Sequence, residues 1–282
     1  MMYVTADDLR QSFVVAKNEM RKFVRGKKFT LYVVLITAVF LLITLLPYAT
    51  GGSLGNTPGE IVSNYVNYIP FLVILAATLF ASVVMVSEFE ERTALILFTR
   101  PIKRTSIFVG KVIGCILLEL TMIVAFYAAI AVLAFVLGGS ISIEILVSMG
   151  LTALYAFAAS AFAIFISSVM KRGSTAAILT FVILLLIIPI VSGILSTTTD
   201  TWFMLTDASD AISTSIPEYL EAANARLQAM LNTPEIAAMF ELFGIEIEMT
   251  PAPDVLKTAA VMLVWGIVPL VMAWIAFIKR EF

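Results

Sequence analysis

The stretch SEFEERTALILFTRPIKRTSIFVGK, Ser87 to Lys111, sets acids, bases, threonines and a proline between two long apolar runs. Reversing the chain between two antiparallel helices takes about 2–8 residues. This segment is much longer, amphipathic and densely charged, which marks it as a surface that meets a partner. The runs on either side decide what kind of protein carries it.

The chain is 61% hydrophobic and 13% charged, with a mean hydropathy of +1.02. A soluble globule is about half apolar and a quarter charged, so the solvent here is lipid. Crossing the hydrocarbon takes roughly 20 apolar residues, and six runs qualify, at 29–48, 69–87, 110–137, 147–169, 174–196 and 258–278. The third reaches back toward Thr105. Pro70 is harmless at the start of a span, whereas Pro189 and Pro269 lie inside spans and predict kinks.

The basic residues fix the orientation. Arg10, Lys17, Arg21, Lys22, Arg25, Lys27 and Lys28 precede the first run. Arg92, Arg100, Lys103, Arg104 and Lys111 follow the second, Lys171 and Arg172 the fourth, and Lys279 and Arg280 the sixth. That places 16 of the 18 on one side, which the positive-inside rule makes cytoplasmic, with both termini. The other side collects Glu60, Glu144 and ten acids between Asp200 and Asp254. No cleavable leader is expected, because 28 amphipathic residues precede the first run and that run serves as its own signal.

Several functions are disfavoured by composition. There is no histidine, which removes imidazole ligands and bases. The single Cys115 lies in an apolar run and excludes an intramolecular disulfide. Gly110-Lys111 is not a phosphate-binding loop, since Thr105 and Val112 stand where that motif needs glycine and a hydroxyl residue. Neither a serine–lysine nor an aspartate pair is visible in the spans to make a membrane hydrolase.

Outside the spans, residues 7–28 read as an amphipathic helix. Leu9, Phe13, Ala16, Met20 and Phe23 share one face and Arg10, Lys17, Arg21, Arg25 and Lys28 another, as in a helix lying in the inner-leaflet interface. Between the fifth and sixth spans, Ser215-Ile216-Pro217-Glu218 predicts a capping box. Thr233-Pro234 predicts a second helix, giving a small helical hairpin. Gly110 and Gly114 have the GxxxG spacing of close helix contacts. Glu119 is the one acid well inside a span; it either lines a path or makes a satisfied interhelical contact.

Within the opening stretch, Glu88, Glu91 and Arg92 share helical faces with Leu95, and Pro101 breaks the run before Lys103 and Arg104. This predicts a short helix along the membrane surface, suited to a groove on a partner. The pattern Glu88-x-Glu90-Glu91-x-Thr93-x-Leu95, then Arg100-Pro101-Ile102-x-Arg104 and Gly110-Lys111, resembles the signature of ABC-2 type ABC transporter permeases. Arg92 stands where glycine is usual in that signature and Lys103 where serine is common. The basic helix, six spans, large last outer loop and terminal Phe277-x-Lys279-Arg280-x-Phe282 also fit.

The expected protein is therefore an all-α membrane protein. It has an elbow helix at 1–28, spans one to five at 29–196 with a coupling helix at 88–104, an outer helical subdomain at 197–257, and the sixth span with a cytoplasmic tail at 258–282. The resemblance implies that Glu88, Glu90, Glu91, Arg92, Thr93, Arg100, Pro101 and Arg104 couple to a separately encoded ATPase. From the amphipathic pattern, Lys17, Arg21, Arg25 and Lys28 are expected to hold the elbow at the membrane interface. ATP and Mg would sit on that ATPase, with no cofactor bound by this chain. A second permease subunit, identical or related, and the lipid of the cell membrane are the other partners; no nucleic acid is expected, and export follows family habit. A secondary transporter would instead rely on ionisable groups near the midplane, where this chain has only Glu119. A membrane-anchored sensor would explain the outer hairpin but leave the charged stretch without a purpose.

Overall fold

A computed structural model describes residues 6–55, 57–90, 103–233 and 249–280. Every regular element among them is helical, and six helices are long and apolar enough to cross a membrane. Helix α1, Ala6–Arg25, ends at Gly26, and α2, Lys27–Ala49, is the first span. The second span, Pro58–Glu88, is a chain of pieces: α3 (Pro58–Val66), α4 (Ile69–Leu79), a 3₁₀ turn at Ala81–Val83 and α5 (Val86–Glu90). Spans three and four are the continuous helices α6, Arg104–Gly138, and α7, Glu144–Val169. Span five divides into α8 (Gly173–Val182), a π-helical turn at Ile183–Ile187 and α9 (Ile188–Leu195). After it come α10 (Leu205–Thr214), α11 (Pro217–Leu231) and the sixth span, α12 (Val255–Lys279).

Helix α7 is the axis of the bundle. Its inner faces are small, with Ala156, Ala158, Ala159, Ser160, Ala161 and Ala163 all buried, which lets neighbouring backbones approach closely. Span six packs along it, and a Cβ added at Gly266 would lie 2.2 Å from the Phe157 ring. Span two is mostly buried, whereas Tyr32 is the only buried residue of α2. The Tyr32 hydroxyl donates to the Leu72 carbonyl at 2.9 Å, and Phe40 stacks on Tyr65.

Helix α1 lies against α6 in an orientation that hydropathy alone does not convey. Leu9 and Phe13 face outward, 58% and 66% exposed, while Asp8, Ser12, Ala16 and Glu19 face the protein. The contact is close because α6 presents glycine. A Cβ at Gly110 would sit 2.6 Å from the Ser12 carbonyl oxygen, and one at Gly114 2.8 Å from that of Ala16. Ala16, expected on the apolar outward face, turns inward for this reason.

Other expectations change at the ends of spans. The second span begins earlier than 69, because Thr57 and Glu60 form a reciprocal capping box with Pro58 in the first turn. The third span starts at Arg104. The proline of span five coincides with the π-helical turn: Pro189 has no N–H and its ring crowds the preceding turn, which widens. Helix α12, by contrast, continues through Pro269.

The outer segment also departs from expectation. The capping box at Ser215 does not form. Ser215 Oγ donates back to the Ile212 carbonyl, and Ile216 occupies the N-cap position without a side-chain bond. An unanticipated helix, α10, buries Leu205, Ala208, Ala211 and Ile212 among α4, α7 and α12. The helix expected after Thr233 falls outside the described residues.

Gly110→Leu should force α1 off α6. Overpacking of this kind costs about 1–3 kcal/mol; the expected result is a lower thermal midpoint in detergent and faster proteolysis within α1.

Candidate functional site

The described residues of the charged stretch run up to Glu90 and onward from Lys103, so the site is built from the anchors at its two ends. Glu91, Arg92, Thr93, Arg100 and Pro101 lie outside the described residues. Glu88, Glu90 and Arg104 lie within them, and each is tied to a different helix.

Glu88 meets Lys111, the largest charged side chain in the core at 1% exposure. Lys111 Nζ donates to Glu19 Oε1 at 2.6 Å, to Glu88 Oε1 at 2.8 Å and to the Val84 carbonyl at 3.2 Å. An ammonium has three protons, and all three are placed. This one side chain joins α1, the end of span two and α6.

Its bond to Val84 is part of a larger arrangement. Between Phe80 and Val86 the second span leaves regular α-helical winding, which frees backbone groups that lipid cannot satisfy. Ser167 Oγ on α7 accepts the N–H groups of both Met85 and Val86 at 3.1 Å, while Lys111 takes the Val84 carbonyl. The break therefore persists because two other spans complete it.

Glu90 points elsewhere. Its Oε2 accepts the Gly173 N–H at 2.9 Å, at the start of α8. On the other side of the stretch, Lys103 pairs with Asp8 at 2.7 Å, and Arg104 donates to the Ile278 carbonyl near the end of α12. Phe108 packs on Phe277, with ring centroids 5.7 Å apart. Arg280 donates to the Ser168 and Met170 carbonyls at the end of α7. Partial burial lowers its pKa from the ordinary guanidinium value, yet such a group stays cationic at neutral pH. All of these contacts gather at one end of the bundle, the basic end. Lys17, Arg21, Arg25 and Lys28 are exposed there.

Glu119 stands apart from this cluster. It is buried at 2% exposure between α6 and α7, accepting from Ser160 Oγ and lying 3.7 Å from Cys115 Sγ. Within the chain it makes an interhelical contact.

The opposite end holds a cavity of about 570 Å³ walled by α10, α12 and the loops beside them. Two of its carboxylates have structural roles: Asp207 accepts from Ser192 and Thr201, and Asp254 caps α12. Asp210 opens onto the cavity but is crowded by protein on its other sides, and this burial, then the Asp207 charge, raises its carboxyl to about 6.

Sequence reading missed Glu19 and Ser167, and it treated Lys111 as part of a signature without a partner. The stripe Asp8, Ser12, Ala16, Glu19 at helical spacing, small and polar on an otherwise basic and apolar helix, was the available signal for Glu19. Ser167 had none, since only the folded chain brings it to the break.

Removing one partner from a buried ion cluster costs about 3–5 kcal/mol, because the others stay desolvated. Lys111→Met should therefore lower the thermal midpoint sharply. The combined Lys111→Met, Glu19→Gln and Glu88→Gln variant should recover at least half of that loss in the same melting assay.

No curated protein matches this chain. The family model described as ABC-2 family transporter protein matches residues 13–282, a span that contains Glu19, Glu88, Glu90, Lys111 and all six apolar helices. A match of that extent makes the chain a multi-pass membrane permease of the ABC-2 transporter family.

Proposed function

We propose that the protein is the permease subunit of an ATP-binding cassette exporter, powered by ATP that a separate ATPase subunit binds with Mg and hydrolyses. The basic end faces the cytoplasm, as the distribution of lysine and arginine favours. Residues 88–104 receive the ATPase, and two permease subunits, identical or related, enclose the path. The chain itself performs no covalent chemistry.

The observation that carries this reading is the anchoring of the charged stretch. A segment that only reversed the chain would need no buried ion cluster at one end and no contacts to three other helices. Here Glu88 connects to α1 and α6 through Lys111, Glu90 to α8, and Arg104 to α12. Force applied by a partner to the stretch would reach α6, at its own end, and the three other helices through charge-assisted bonds. Nucleotide-driven closure of the ATPases then biases a membrane element between two arrangements. The outward apolar face of α1, with its exposed bases, suits an elbow lying in the inner-leaflet interface.

The anchoring also dictates which residues test docking. Glu88 is bound inside the subunit, so substituting it would disturb the fold as well as any interface. Glu91→Lys combined with Arg100→Glu avoids the described anchors. This double variant should insert normally but lose at least tenfold of the co-purifying Walker-motif ATPase, about 1.4 kcal/mol or more of binding. Full retention of the ATPase and of its turnover would refute the docking assignment.

A further inference from the structure

We propose that Glu90 is a positioning residue linking the ATPase-docking stretch to the fifth span, whose inner half swings about the π-helical turn at Ile183–Ile187. This rests on the permease reading above and adds a route by which docking moves the membrane part.

Three observations support it. The first is the bond made at the start of α8. Its N-cap residue, Arg172, makes no side-chain capping bond. The first amide, on Gly173, is instead taken by Glu90 from another span at 2.9 Å. A carboxylate suits that place, because the first turn of a helix has unpaired N–H groups and a positive dipole end. Contact is close as well. A Cβ at Gly173 would lie 3.0 Å from Glu90 Oε2, 3.5 Å from Val83 and 3.7 Å from Val86, so a glycine lets the end of span two press on the start of span five. Below this point Val86 packs with Ile166 and Ala176. The inner half of span five is thus coupled to the residues that lead directly into the docking stretch.

The second observation is that the outer half has a different anchor. Ser192 on α9 donates to Asp207 on α10 at 3.0 Å. Helix α10 is in turn held by the Ser148 hydroxyl, which donates to the Ile212 carbonyl at 2.7 Å. Among the described residues both halves rest on α7, but only the inner half is tied to the end of span two and only the outer half to α10.

The third is what lies between them. Five residues of π-helical winding, with Pro189 in the first turn of the helix that follows, replace the regular hydrogen-bond ladder. Such turns are where helices bend and are frequent at functional sites. A straight α-helix would carry a pull on Gly173 into the outer half; this one has a joint. Helix α8 is about 15 Å long at 1.5 Å per residue, so a swing of about 20° moves its free end by about 5 Å.

The test uses the permease–ATPase complex in lipid nanodiscs, with spin labels replacing exposed residues in a Cys115→Ser background. One pair joins Asn18 on α1 to Thr175 on α8, and the other joins Asn18 to Ile194 on α9. Trapping the ATP-bound state should shift the inner pair by several ångströms and the outer pair by less than half as much. In complexes that retain the ATPase, Glu90→Ala should abolish the inner shift. Glu90→Gln should retain it, because its amide oxygen still accepts the Gly173 N–H although the charge near Lys28 is gone. Pro189→Ala, remote from the docking stretch, should reduce the inner shift by at least half and keeps the proposal testable if Glu90→Ala fails to fold.

An undiminished inner shift in Glu90→Ala or in Pro189→Ala overturns the proposal and leaves the permease reading intact. So does equal movement of both pairs in the wild type. A wild-type chain that captures no ATPase overturns both readings.

Discussion

One desolvated ammonium organises the basic end of this protein. Lys111 gives its three protons to Glu19, Glu88 and the Val84 carbonyl, and each acceptor belongs to a segment with its own problem. Helix α1 needs a reason to lie against α6 with a polar face inward. The second span needs a donor where its winding breaks. The charged stretch needs a fixed point from which to leave the membrane. A buried cation that satisfies all three is costly to desolvate, and its gain is specificity as much as stability. Glycine makes it possible, since Gly110 and Gly114 bring α1 close enough for Glu19 to reach the ammonium.

The same contacts explain the irregular second span. Breaks in a helix at membrane depth are tolerated only where protein surrounds them. Ser167 replaces two missing ladder bonds with one hydroxyl, so the break is an agreement among spans two, three and four rather than a defect of span two. Span five solves a similar problem alone, through the π-helical turn before Pro189.

This contrast accounts for what could be read in advance. Six apolar runs were plain because the bilayer demands length and composition of each span separately. The proline of span five was legible because proline acts locally. The opening stretch was legible as a docking segment because charge between apolar runs is conspicuous. The break in span two was not, since Phe80-Ala81-Ser82-Val83-Val84 contains no residue that interrupts a helix; its cause lies in Ser167 and Lys111, more than 20 residues away. Helix α10 escaped for a related reason. Leu205, Ala208 and Ile212 do stand at helical spacing, but the helix is short and the rest of its buried face is alanine, Ser209 and Ser213, which give little hydrophobic signal. The capping box at Ser215 failed because that serine closes the end of α10 instead.

The first span is held differently from the rest. Tyr32 is its only buried residue, and an apolar groove of about 310 Å³, lined by Ile36, Phe40, Met122 and Phe126, separates it from span three. Lipid tails are as apolar as leucine, so no hydrophobic force draws such a helix inward. At 23 residues, it is about 35 Å long against roughly 30 Å of hydrocarbon. The excess length leaves its tilt to the few contacts it makes, the Tyr32 hydroxyl on Leu72, Thr44 on Tyr65 and Phe40 stacked on Tyr65, so three side chains orient the whole span.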